Sequence, residues 1–149
     1  MDTWHQCNLR AHTEFQLAFY DNALQLHQQA LDYAHDHFAD YANVCVHHAF
    51  VRVLTSYFGL ADCHKGLQHF ALAAECYVAA QRFLADSSHR LPATPRIEHE
   101  IQHAQSHLHA LWCDLVEQHE GEIAGGSLLA YQQGRQQLMH YGDADKVLH

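Results

Sequence analysis

Phe19-Tyr20-Asp21-Asn22-Ala23-Leu24-Gln25-Leu26-His27-Gln28-Gln29-Ala30-Leu31 is the stretch that decides the fold. Tyr20, Ala23, Leu24, Ala30 and Leu31 recur at spacings of three and four, and Ala34 extends the row: one apolar face of an α-helix. Asp21 is a good N-cap type. A second stretch, His69-Phe70-Ala71-Leu72-Ala73-Ala74-Glu75-Cys76-Tyr77-Val78-Ala79-Ala80-Gln81, lies 50 residues further on and repeats the pattern. Each has an aromatic residue, Ala three later, and Ala seven after that. The small residues let two helices approach closely, and the aromatic fills the space at the turn.

Working outward, the chain reads as helix throughout. It has 7 glycines and 2 prolines in 149 residues, and Ala, Leu, Gln and Glu favour helix. The pattern predicts about six helices in three antiparallel hairpins. The first spans Asp2 to about Ala18, and the second begins near Asp21. A turn at Phe38-Ala39-Asp40 leads to a third, Tyr41 to about Lys65. Its middle (Val44, Cys45, Val46, Ala49, Phe50, Val51, Val53, Leu54, Phe58) is apolar on nearly every face, which predicts a buried helix. Val44–Leu54 is β-branched enough for a strand, but no partner strand is visible. Gly66 breaks the chain before a fourth helix, Gln68 to about Ala85. Residues 86–95 read as a loop. Thr94-Pro95 is an N-cap followed by Pro at the first helical position, opening a fifth helix to about Glu120. Gly121 and Gly125-Gly126 end it, and Ser127 caps a last helix to about Tyr141. The tail after Gly142 is expected to fray. The length suits a single α-helical domain over residues 1–149.

The two matched stretches resemble the second helix of a tetratricopeptide repeat, through Tyr20, Ala23, Ala30 and Leu31 in one and Phe70, Ala73, Tyr77 and Ala80 in the other. The first helix of such a repeat should carry Leu-Gly and a Tyr. Here Ala11 and Glu14 stand at the Gly and Tyr places, then Leu60-Ala61 and His64. The spacing of 50 residues exceeds the 34 of a regular member, and the hairpin 95–141 shows no match. The resemblance implies a tetratricopeptide-like stack that binds a protein or peptide on the concave face of the first helices. That face would offer His5, Asn8, His12 and Phe15 from the first helix, and Thr55, Phe58, Asp62 and Lys65 from the third. Members that grip a chaperone's C-terminal carboxylate use Lys, Arg and Asn there. Only Asn8 and Lys65 are of the right type, so such a clamp is not expected.

Composition narrows the function classes. Lys plus Arg number 8 against 17 Asp plus Glu, a formal charge of −9. Phosphate backbones need clustered cations, so nucleic acid is not an expected partner. The start, Met1-Asp2-Thr3-Trp4-His5-Gln6, has neither the basic region nor the apolar core of a secretory signal. No apolar window is long enough for a membrane span. Cys7, Cys45, Cys63, Cys76 and Cys113 are odd in number and widely spaced, which suits buried thiols in a reducing cytoplasm. The chain holds 17 histidines, so its charge changes steeply between pH 7.5 and 5.5.

His99-Glu100-Ile101-Gln102-His103 is a literal H-E-x-x-H, the pattern by which zinc peptidases place two histidines on one helical face with Glu as general base. His109 follows ten residues after His99, similar to the longer metzincin pattern with Ser106 at its Gly. The helix argues otherwise. Ile97, Ile101, Ala104, Leu108, Leu111 and Leu115 fall within about 40° of one direction, while His99, His103 and His107 fall at about 200°, 240° and 280°. The histidines therefore face away from the core, and His109 points about 120° from His103. In a chain with 17 histidines, H-x-x-x-H is expected about twice by chance, and it occurs twice. A zinc-dependent hydrolase using His99, Glu100 and His103 is thus the second reading. A third is a histidine-rich metal- or pH-responsive module, with His99, His103 and His107 as candidate ligands. No nucleotide-binding or nucleophile motif is present and no cofactor is expected. The leading expectation is a non-enzymatic adaptor. An extra apolar face on the third hairpin would support a homodimer.

Overall fold

The computed structural model describes the backbone of residues 2–148 and the side chains of residues 2–139. All regular structure among the described residues is helical: α1 (Thr3–Gln16), α2 (Tyr20–Asp36), α3 (Phe38–Val44), α4 (Val46–Gly66), α5 (Phe70–Arg90), α6 (Pro95–His119) and α7 (Gly125–Leu148), with a 3₁₀ turn at Glu120–Glu122. No helix among these residues is long and apolar enough to cross a membrane.

The all-α class therefore stands, with seven helices where the sequence suggested six. The difference lies before α4. Cys45 is extended (φ −153°, ψ 104°), so the expected third helix begins at Val46 and α3 precedes it. The break turns α3 so that Phe38 meets Phe50 edge-to-face at 5.5 Å. A straight helix would carry these two rings apart. The same region corrects the expectation of a helix buried all round. Ala49, Phe50, Val53 and Leu54 are buried, but Val44 is 87% exposed and Val51 also faces out. The loop foreseen at 86–95 is shorter, because α5 runs on to Arg90. Thr94 caps α6 as its sequence suggested, its side chain accepting from the Ile97 N–H. The last helix continues past Gly142 to Leu148.

The chain divides into two compact units, residues 1–77 and 78–149. In the first, α2 packs against both α1 and α4, and α3 lies against α4. Ala11, Ala23, Ala61 and Ala73 are completely buried, so the small residues named by the repeat sit where helices touch. Trp4 closes one end, its indole Nε1–H donating to Ser56 Oγ at 3.0 Å. In the second unit α6 packs against α7. Trp112 and Leu108 are fully enclosed there, and Ile123 and Tyr131 add to the core.

The α1–α2 and α4–α5 turns are built alike. Ala18 and Gln68 both take the left-handed conformation, at φ 63° and 62°. The Phe19 N–H donates to the Glu14 carbonyl at 2.9 Å, and the His69 N–H to the His64 carbonyl at 2.8 Å. These bonds satisfy carbonyls that each helix end would otherwise leave open. A left-handed residue with a Cβ costs about 1–2 kcal/mol, partly offset because Gly loses more freedom on folding. Ala18→Gly and Gln68→Gly are each expected to stabilise the chain by about 0.5–1 kcal/mol. Urea denaturation checks this through a raised midpoint at unchanged slope.

Candidate functional site

The helices α1, α2 and α4 leave a groove of about 250 Å³ lined by Asn8, His12, Phe15, His27, Thr55, Phe58, Gly59 and Asp62. Six of these are residues that the sequence placed on the concave face: Asn8, His12, Phe15, Thr55, Phe58 and Asp62. Helix spacing explains the grouping. Asn8, His12 and Phe15 lie four and three apart on α1, and Thr55, Phe58 and Asp62 three and four apart on α4, so each trio forms one stripe.

The other two named residues are engaged elsewhere. His5 sits at the start of α1, where its backbone N–H and its ring Nδ1 both meet Asp2 Oδ1, at 3.0 and 2.9 Å. Lys65 reaches back along α4 to Asp62 at 3.2 Å. Asp2 is the centre of a separate cluster. Its Oδ2 accepts from Tyr41 Oη at 2.7 Å and Arg52 Nη1 at 2.6 Å. The Arg52 guanidinium lies 3.9 Å from the centre of the Tyr41 ring, and 5.3 Å from that of Trp4. Desolvation alone would raise the Asp2 carboxyl. Hydrogen bonds from Tyr41, the His5 N–H and Arg52 outweigh it and hold the group far below the usual carboxylate range. The bond to Asp2 and burial push the Tyr41 phenol up to about 12. This cluster ties α3 and α4 to the start of α1.

The groove contains two residues that the sequence reading missed, His27 and Gly59. His27 comes from α2 and is 6% exposed. Its ring lies directly on α4 at Gly59, where an added Cβ would sit 2.4 Å from Cε1. Its Nδ1 is buried and makes no hydrogen bond. Desolvation lowers the His27 pKa, with the Asp62 carboxylate opposing and His12 reinforcing the shift, so the ring is neutral at pH 7. The signal was present: His27 stands four after Ala23 and three before Ala30, on the buried face of α2. Gly59 had no local signal. Only the partner across the helix interface makes a glycine necessary there.

The second unit repeats the device. His109 is 7% exposed and lies on α7 at Gly134, where a Cβ would meet Cε1 at 2.4 Å. Its Nε2–H donates to Gln81 Oε1 at 2.8 Å, while Nδ1 is buried without a hydrogen bond. Its ring stacks on Trp112 and Tyr131 at 5.3 and 5.8 Å. His109 is therefore a core residue.

His99, His103 and His107 are exposed on α6, as their angular positions implied. The His99 and His103 rings stack 6.4 Å apart, and His107 lies a further turn along the helix. Three rings on successive turns spread over about 12 Å of rise and cannot converge on one ion. Among the described residues, no three His, Cys, Asp or Glu side chains are placed to hold a metal. A larger groove in the second unit, about 490 Å³, is lined by Ser88, Pro92, Ile97, Ile101, Gln102 and Gln105 among others. None of its lining residues has a buried side-chain polar atom lacking a hydrogen bond. The five cysteines are free thiols. Desolvation pushes Cys63 up to about 11 and Cys76 up to about 12, so neither is a thiolate at neutral pH. No protein-family model, curated protein or solved structure matches the chain.

Proposed function

We propose that the chain is a non-enzymatic peptide-binding adaptor, built from tetratricopeptide-like helical hairpins, whose site is the groove between α1, α2 and α4. The observation that carries this reading is the convergence of Asn8, His12, Phe15, Thr55, Phe58 and Asp62 on one groove. Two further features support it. The paired alanines of α1, α2, α4 and α5 are buried to the same degree, and the two hairpin turns share one geometry. The groove's chemistry suits a peptide. Asn8 and Thr55 can both donate and accept hydrogen bonds along a main chain, and Phe15 and Phe58 offer apolar surface. At about 250 Å³ the groove lies below the roughly 300–1,000 Å³ of small-molecule sites, a size for one side chain rather than a cofactor. A cytoplasmic setting belongs to the same reading, since widely spaced cysteines suit a reducing compartment.

Selection from a displayed random peptide library tests the proposal. Enriched peptides should bind the protein, and Asn8→Ala with Thr55→Arg should weaken them about tenfold or more while leaving thermal unfolding cooperative. Peptides that bind the variant as well as the original protein would place recognition elsewhere and refute the reading.

A further inference from the structure

We infer that the groove takes a basic side chain, arginine or lysine, presented by a partner's peptide segment. The inference rests on the peptide-binding reading and names the chemistry of the occupant.

The argument begins with what lines the groove. Asp62 is its one carboxylate, and no Lys or Arg is among its lining residues. Asn8 and Thr55 add oxygen acceptors. Phe15 and Phe58 supply aromatic rings, which attract cations through their negative faces. A guanidinium is planar and weakly hydrated, which suits a groove of mixed carboxylate and aromatic character. The surroundings agree: residues 1–77 hold three Lys or Arg against eight Asp or Glu. That field steers a cationic segment inward.

His27 is the second, independent observation. It is a polar ring, 6% exposed, that forms part of the groove wall and leaves Nδ1 without a hydrogen bond. The groups that act on it are Asp62 from α4 and His12 from α1. Being neutral, the ring adds no positive charge to repel a cation from Asp62.

Lys65 is not among the lining residues, but it pairs with the groove's carboxylate in the free protein. Its ammonium meets Asp62 at 3.2 Å, on side chains 36% and 52% exposed. Such a pair is weak and gives way to a better-placed cation. Lys65 is thus a competitor, which yields a result that a purely structural role would not give. Removing it should strengthen binding.

The test is a titration of the full chain with N-acetyl-Gly-Arg-Gly-amide, followed by amide and histidine NMR shifts. The citrulline analogue, uncharged and of the same shape, runs beside it. The arginine peptide should shift residues around His27 and Asp62, and bind about tenfold more tightly than the citrulline peptide. Asp62→Asn should erase that difference, and Lys65→Met should tighten arginine binding about threefold. Equal binding of arginine and citrulline peptides, or an Asp62→Asn variant that keeps the preference, overturns the inference. If library peptides occupy the groove without a basic residue, the peptide-binding reading stands and this inference falls. If no peptide of any kind occupies it, both fall.

Discussion

Gly59→Ala should destabilise the protein by about 1–3 kcal/mol, against the helix propensity of the new residue. Alanine in a helix interior is worth about 1 kcal/mol over glycine, so an open site would gain. Here the new Cβ would sit 2.4 Å from the His27 ring. That ring is 6% exposed and cannot swing away without opening the α2–α4 contact. Overpacking therefore wins. The sign should reverse once the ring is removed. In a His27→Ala background, Gly59→Ala should stabilise by about 0.5–1 kcal/mol, because only propensity remains. Gly134 and His109 form a parallel cycle in the second unit, with a Cβ contact of 2.4 Å. Chemical denaturation of the four proteins in each cycle reads the result. Additive effects would mean that the glycines are not there to admit the histidine rings.

Acid should unfold the chain from its histidines before its carboxylates. Desolvation lowers the pKa of His27, His35, His64 and His109, in each case as the leading cause. The unfolded chain titrates these rings near about 6.5. Below that pH the unfolded state binds protons that the fold resists. Stability is therefore full above about 6.5 and is lost as pH falls through the lowered folded values. Asp2 has the same sign but a lower window. Its contribution holds until pH drops below the ordinary carboxylate value of about 3.9. The expected result is a Tm several degrees lower at pH 5.5 than at pH 7.5. One effect acts the other way. The chain's charge of −9 at pH 7 passes through zero near its pI of 6.0, easing self-repulsion. A His27→Gln, His109→Gln double variant separates the two. It removes the two most buried of the four rings and should flatten the acid slope, while surface repulsion changes little. A slope identical in both proteins would place the pH response on the exposed histidines.

The sequence made the helices legible because their signals are local. Ala23 and Ala30, with Ala73 and Ala80 at the same spacing, mark the buried faces, and all four are fully enclosed. Thr94-Pro95 marked the start of α6 for the same reason. What the sequence hid depends on partners distant in the chain. Cys45 breaks the helix so that Tyr41 reaches Asp2, 39 residues away, a contact that no window around Cys45 contains. Gly66 read as a helix breaker, yet it is the last residue of α4, and a Cβ there would meet the Tyr20 ring at 2.6 Å. The groove was legible as two stripes at helical spacing, on α1 and α4. Its floor was not, because His27 and Gly59 meet across a helix interface. His99 and His103 show the converse. A chemically suggestive spacing, placed by its own helix on the outward side, remains exposed.

The most direct test of the central claim is an amide shift map with a library-selected peptide bound to the whole chain. The account predicts shifts clustered at Asn8, His12, Phe15, His27, Thr55, Phe58, Gly59 and Asp62. Shifts clustered instead at Ser88, Ile97, Ile101 and Gln105, around the larger groove of the second unit, would contradict it.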